Sequence, residues 1–210
     1  MKTALFLIGF IFSINSIAQD VPQLPIKNDY VYYSFDHKLD NTKNCLSYYP
    51  SHTNLTFSTT LQQKMFGLSS DLCSQSNDIN DVALVTLIFH ERASNCSDTT
   101  SATLMLKLPT RINQSVIWGS FNAGSINATV SIIHVDKNNY NLIFKAFVCT
   151  LFGDGGTLET IDLEEFYSKF YESKKSKYDR LVLNRIDNAV RGIDKIILES
   201  FEKAYETDEL

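Results

Sequence analysis

The sequence predicts a mainly β protein of the α+β class, with an antiparallel β-barrel or sandwich of about eight strands followed by amphipathic C-terminal helices. Three observations lead to this prediction. Short runs with a two-residue apolar period recur from residue 30 to residue 149. Polar segments rich in turn-forming residues separate these runs at regular intervals. After Gly153 the apolar period becomes that of a helix.

Residues 1–18 have the features of a cleaved signal peptide. A basic start at Met1-Lys2 precedes the apolar run from Ala4 to Phe12, and Ser16-Ile17-Ala18 is a small-x-small cleavage site. We therefore expect a secreted, extracellular protein whose mature chain begins near Gln19. Neither this run nor any later one reaches the roughly 20 apolar residues of a membrane helix, so we expect no membrane span.

Two further segments follow the signal peptide. We expect a β-rich, barrel-like domain at residues 19–152 and a helical segment at residues 153–210 that packs on the same domain. The formal net charge of the chain is −5. A negative chain offers no basic surface for a phosphate backbone, so nucleic acid is excluded as a partner.

The first half of the β-rich part contains aromatic and β-branched runs that predict short strands. These strands are expected at Tyr30–Phe35, Cys45–Tyr49 and Thr53–Thr59. In the last of them, alternation turns Phe57 inward and leaves its neighbours exposed. Residues 62–68 are ambiguous, and residues 69–81 have the composition of a loop.

Three more apolar runs precede the longest hairpin. Val82–Phe89 is apolar on both faces, which favours a central strand over a buried helix segment. Ala102–Leu108 alternates with polar residues and ends at Pro109. Ser115–Phe121 then leads into the hairpin.

Residues 126–149 predict a long antiparallel hairpin. In its first arm the apolar residues from Ile126 to Ile132 alternate with Asn, Thr and Ser. In its second arm Tyr140, Leu142, Phe144, Ala146 and Val148 share one side. Asp136-Lys137-Asn138-Asn139 between the arms tolerates turn conformations.

Two amphipathic helices are predicted after Gly156. Asp162 and Glu165 form a capping box at the start of the first helix. The second helix carries one apolar stripe, made of Val182, Ile186, Ala189, Val190, Ile193, Ile196, Ile197, Phe201 and Ala204. A stripe of this size must be covered, and the outside of the sheet is favoured over a partner helix or a lipid surface.

Cysteines and glycosylation sequons also fit an exported chain. Four cysteines predict two disulfides of undetermined pairing, among Cys45, Cys73, Cys96 and Cys149, with one disulfide and two free thiols as the alternative. Four N-x-S/T sequons are candidate glycosylation sites, at Asn54, Asn95, Asn113 and Asn127. Asn127 lies on the polar side of its predicted strand, where a glycan would point to solvent.

No motif in the sequence predicts catalysis, a cofactor or a metal site. The four histidines, His37, His52, His90 and His134, lack the spacing of metal ligands on one element. His134 is in the apolar register of its strand, which favours a structural role over a ligand contact. Gly153–Gly156 lacks the lysine of a phosphate loop. We therefore expect a protein that is not an enzyme.

Several segments resemble the lipocalins, in particular the arthropod salivary lipocalins. Val130–Cys149 is similar to the strand, turn and strand at the open end of their eight-stranded barrel, and Val31–Tyr49 to their aromatic strand, polar loop and cysteine. Arg185 and Ala189–Asp194 resemble their late arginine and the glycine-containing helix segment. The lipocalin G-x-W signature is missing, and the helical region is longer than the usual single helix.

The resemblance implies a secreted carrier or scavenger that holds a small apolar or amphipathic ligand in a barrel cavity. By their inward register we expect four aromatic residues to line it: Tyr140, Phe144, Trp118 and Phe57. Two alternatives remain. The terminal Asp208-Glu209-Leu210 resembles the retention signal of the endoplasmic reticulum lumen. The C-terminal helix is an alternative docking surface for another protein.

Overall fold

The computed structural model describes residues 23–39, 52–74, 84–91, 99–107, 124–136, 138–152, 158–172 and 177–207. It contains eight strands and three helices in these ranges. The strands are β1 (Ile26–Lys27), β2 (Tyr30–Val31), β3 (Tyr33–Lys38), β4 (Leu84–Glu91), β5 (Thr99–Lys107), β6 (Ser125–His134), β7 (Asn139–Phe152) and β8 (Leu158–Asp162). The helices are α1 (His52–Ser74), α2 (Leu163–Glu172) and α3 (Lys177–Thr207). No helix in the described ranges is long and apolar enough to cross a membrane.

Six of the strands form one antiparallel sheet. Five of them lie in the order β3-β7-β6-β5-β4, and the sixth, β8, pairs with β7. One side of the long strand β7 pairs with β6. Its other side pairs with β3 in the first part of the strand and with β8 in the last part. The mixed α+β class predicted from the sequence is confirmed. The barrel and the sandwich are not: in the described part of the chain β3 and β4 lie at opposite ends of an open sheet, and helices take the place of a second sheet.

The hairpin between β6 and β7 is confirmed, and its turn is held by one side chain. The carboxylate of Asp136 accepts hydrogen bonds from the backbone N–H groups of Asn138 and Asn139 at 2.7 and 2.9 Å. Such a bond from Asp to the backbone two residues on is a common turn device. The sequence therefore fixes the register of the pair through both the turn and the buried face.

The predicted register of β7 fails after Phe144, because the strand contains a bulge. Ala146 has a positive φ of 53°, and the pairing with β6 shifts between Asn127 and Thr129. The extra residue reverses the alternation. Phe147 and Cys149 therefore face the core, instead of Ala146 and Val148.

Two other predictions for the first half of the chain are wrong. Residues 53–59, predicted as a strand, and residues 69–74, predicted as a loop, both belong to α1. The buried side chains of α1 recur at helical spacing, at Phe57, Leu61, Met65 and Leu72. Residues 84–89 of the predicted strand Val82–Phe89 lie in β4, but among the described strands β4 is at the end of the sheet and not at its centre. The predicted strands at 45–49 and 115–121 lie outside the described residues.

One face of the sheet, called the inner face here, packs against α1 and α3. Its side chains are buried on the central strands at Ala102, Leu104, Leu106, Ile126, Ala128, Val130, Ile132, Leu142 and Phe144. The opposite, outer face carries mainly Thr, Ser, Asn and Lys on these strands. An antiparallel sheet with one buried and one polar face gives the alternation seen in the sequence.

The predicted apolar stripe of α3 is buried over its whole length. Every residue of the stripe is at most 8% exposed. The sheet covers it as expected, and α1 covers it as well. Gly192 permits the close approach of the two helices, because a Cβ atom there would lie 2.7 Å from Leu68 Cδ1.

Truncation within this stripe should destabilise the protein strongly. Ile193 is fully buried, so we expect Ile193→Ala to lower the free energy of unfolding by about 2–5 kcal/mol. Glu202→Ala, an exposed change on the same helix, should alter it by less than about 0.5 kcal/mol. Urea titration followed by circular dichroism measures both. Equal losses would contradict the burial of the stripe.

Candidate functional site

A row of three polar aromatic side chains crosses one end of the inner face. His37 on β3 pairs with Tyr140 on β7, and Tyr140 pairs with His134 on β6. The ring of Tyr140 lies 4.9 Å from that of His37 and 6.5 Å from that of His134 between centroids. This row results from alternation on three neighbouring strands, which brings directly opposed residues to the same face.

Helix α3 completes the site with one carboxylate and one aromatic ring. Asp194 Oδ1 lies 2.5 Å from His37 Nε2. Phe201, about two turns farther along α3, packs on Tyr140 at 4.8 Å and on His134 at 6.3 Å. We call His37, His134, Tyr140, Asp194 and Phe201 the histidine end. It combines a polar pair with an aromatic wall.

The polar pair of the histidine end lies near the surface, whereas the aromatic wall is buried. The side chains of His37 and Asp194 retain 13% and 16% of their exposure. Tyr140 and Phe201 retain only 2% and 3%. A molecule in solution can therefore reach the His37–Asp194 pair first.

A second carboxylate of α3 also binds β3. It belongs to Asp187, which lies seven residues before Asp194. Asp187 Oδ1 accepts a hydrogen bond from the hydroxyl of Tyr33 at 3.1 Å, and its Oδ2 accepts one from Arg191 Nε at 2.9 Å. Burial raises the pKa of Tyr33, and the negative charge of Asp187 raises it further. Tyr33 therefore stays a neutral donor. Together with His37–Asp194, this bond fixes β3 against α3.

His134 is the most enclosed histidine of the site. It is 9% exposed, and its burial lowers its pKa, because the charged imidazolium loses hydration inside the protein. Burial therefore favours the neutral form of His134, which lies beside the rings of Tyr140 and Phe201.

The structure brings together two of the four predicted ligand residues. Phe57 on α1 packs on Phe201 at 4.8 Å, so Phe57 and Tyr140 contact the same ring. Phe144 lies farther along β7, where it packs on Phe35 at 6.2 Å. Trp118 lies outside the described residues.

Sequence reasoning missed His37 and Asp194, although each carries a detectable signal. His37 continues the alternation of Tyr33 and Phe35 on β3. Asp194 follows Asp187 by seven residues, a spacing that places both on one side of a helix. The contact between them joins segments 157 residues apart, which no local pattern predicts.

The histidine end offers few ligands for a metal ion. Among the residues that the structure describes, no group of three or more His, Cys, Asp or Glu side chains is placed to hold one. The arrangement can donate and accept hydrogen bonds through His37 and Asp194. It can also bury apolar surface against its rings.

The side chains of one cysteine and one sequon asparagine lie in the described part of the chain, and neither is in the histidine end. Cys149 is a free, fully buried thiol on the inner face, and burial raises its pKa to about 12. Cys73 is in α1, but its side chain, like Cys45 and Cys96, lies outside the described part. With Cys149 free, one disulfide among these three stays a prediction. Asn127 is on the outer face of β6, and the side chains of the other three sequons are not described.

The lowered pKa of His134 predicts a loss of stability in acid. The unfolded chain binds a proton near the ordinary pKa of 6.5, whereas the folded chain binds it only at lower pH. Stability should therefore be complete above about pH 6.5, fall as the pH drops from there to the folded pKa, and level off below it.

The measurement is the difference in free energy of unfolding between about pH 8 and about pH 5. His134→Phe should make this difference smaller. His90→Gln, at an exposed histidine that bonds Thr103 on the outer face, should leave it unchanged. A pH response that is identical in wild type and His134→Phe would contradict the assignment.

Comparison with known proteins identifies the fold only. No protein-family model and no curated protein matches the sequence. Among solved structures, a TBP-like protein from Parabacteroides distasonis ATCC 8503 matches with a TM-score of 0.50 and 15% sequence identity. The match covers 85% of this chain and 97% of that chain. The two proteins therefore share an α+β fold built on an open antiparallel sheet.

Proposed function

We propose that the protein is an exported, non-enzymatic glycoprotein that binds a small amphipathic molecule at the histidine end. The observation that carries this proposal is the convergence of one surface-accessible polar pair, His37 and Asp194, with the buried rings of Tyr140, Phe201 and Phe57. Ligand sites typically combine apolar walls with a few placed polar groups. The signal-peptide features of residues 1–18 and the four sequons support export and glycosylation.

The binding mode differs from that of a barrel carrier. The rings of the histidine end contact one another directly, so the apolar part of a ligand enters by displacing Phe201 from Tyr140. The polar part binds His37 and Asp194 at the surface.

The alternative of an interaction factor that docks a partner on the stripe of α3 has less support. Every residue of that stripe is already covered within this chain. Docking there would have to expose the core first, at a cost of roughly 1.5–3 kcal/mol for each side chain.

Titration with N-phenyl-1-naphthylamine, a neutral fluorescent amphiphile, tests the proposal. We expect saturable binding that His37→Gln and Asp194→Asn each weaken about tenfold, the scale of a hydrogen bond to a charged group. Glu199→Gln is the matched control. It removes the same charge from α3 at the Lys64–Glu199 pair and should leave the affinity unchanged.

A second measurement identifies the natural ligand. Native mass spectrometry of protein purified from its source should reveal a bound small molecule in the wild type. Thermal unfolding of each variant separates loss of binding from loss of folding. Equal probe affinity in all folded variants, together with an empty natural protein, would rule out this function.

A further inference from the structure

Among the described strands, β4 lies at one end of the sheet. Among the described residues it pairs only with β5. In an antiparallel pair, alternate residues point their N–H and C=O groups away from the partner strand. The N–H of Val85 donates to the hydroxyl of Ser69 on α1 at 3.1 Å, which shows that Val85 is one of these residues. Leu87 and Phe89 therefore also point their backbone groups outward.

Helix α1 runs beside this edge in the opposite direction. Ser69 of α1 bonds Val85 near the start of β4. Phe57, farther back on α1, packs on Phe89 near the end of β4, with 6.3 Å between the ring centroids. Successive residues of a helix are rotated by about 100° around its axis. Around that axis Gln62 and Phe66 lie within about 60° of Ser69, on the solvent side of the helix. Phe66 is 80% exposed, the largest value among the exposed apolar side chains of the described residues. The edge and this side of α1 thus form the two walls of a groove.

The described side chains that line the groove carry no charge. Phe66, Gln62 and Ser69 lie on the helix side, and Thr86 and Ile88 lie on the outer face of β4. Ile88 is 42% exposed. Proteins usually protect an edge strand with lysine, proline or a bulge. β4 has neither Lys nor Pro, and its register shift comes only after Phe89.

We propose that this groove binds an extended, uncharged segment of another polypeptide, which adds to β4 as a further strand. Its backbone pairs with the outward groups of Leu87 and Phe89. Its side chains alternate between Phe66 on one side and Ile88 on the other. An uncharged segment fits because a charged side chain there would lose hydration without a partner in the groove.

The position of α1 favours a separate segment over a second copy of this chain. Ser69 bonds an outward N–H, so α1 projects beyond the edge of the sheet. Pairing β4 with its own copy would place the strands about 4.8 Å apart and bring both α1 helices into the space between them. Packed helices need about 8–10 Å between their axes. A lone strand has no such helix.

A displayed library of random heptapeptides is the probe for this site. We expect selection on the folded, full-length protein to enrich peptides with alternating apolar and uncharged polar residues. A selected peptide, added to ¹⁵N-labelled protein, should slow hydrogen exchange at the amides of Leu87 and Phe89. Phe66→Lys and Ile88→Lys should each weaken its binding at least about tenfold.

Met105→Lys is the matched control for Ile88→Lys. Met105 lies on the same outer face with nearly the same exposure, 43%, but one strand farther from the edge. Its substitution should leave peptide affinity within about twofold. Three results would overturn the proposal: no enriched pattern, a selected peptide that leaves both amides unprotected, or a β4-mediated dimer in sedimentation analysis.

Discussion

The burial of one face of α3 supports everything else in this protein. The nine apolar residues of its stripe fill the space between the inner face of the sheet and α1, and each is at most 8% exposed. Sheet and helix each have an apolar surface that water would otherwise contact, so neither layer is stable without the other. This packing also sets where the polar residues of α3 lie. Because the buried stripe fixes the orientation of α3, Asp187 contacts Tyr33 and Asp194 contacts His37.

The two ends of the sheet are protected to different degrees, and this difference separates the two proposed sites. β3 is tied to α3 by two side-chain hydrogen bonds to carboxylates. In the described part of the chain, β4 is tied to α1 by the single bond between Ser69 and Val85. The first end is therefore suited to recognise a small molecule through fixed polar groups. The second end is suited to recognise a backbone.

The sequence predicts the elements whose burial pattern is strong and local. The β6–β7 hairpin and the stripe of α3 are examples, since alternation and helical spacing persist there over many residues. Helix α1 was missed because it is rich in Thr, Ser and Gln, and because Leu55 and Phe57 imitate the alternation of a strand. Its helical state comes from packing on β4 and α3, which local propensity does not encode.

Closure of the sheet and the composition of the site depend on contacts that no local pattern carries. A two-residue period gives a strand but does not say whether its outer neighbour is a strand, a helix or water. The run of Val82–Phe89 therefore looked central, whereas its described part, in β4, lies at the end of the sheet among the described strands. Tyr140 and Phe57 were predicted to face inward, and both are buried, although Phe57 lies on a helix and not on the predicted strand. Their meeting at Phe201 and the His37–Asp194 pair required the fold itself.

Native-state hydrogen exchange tests the mutual dependence of sheet and helix most directly. If the two layers stabilise each other, the amides of α3 from Val182 to Ala204 and those of β6 and β7 should share the highest protection. They should also lose it together as denaturant is added. Exchange of α3 at a much lower free energy, with β6 and β7 still protected, would show an independent β domain and contradict this account.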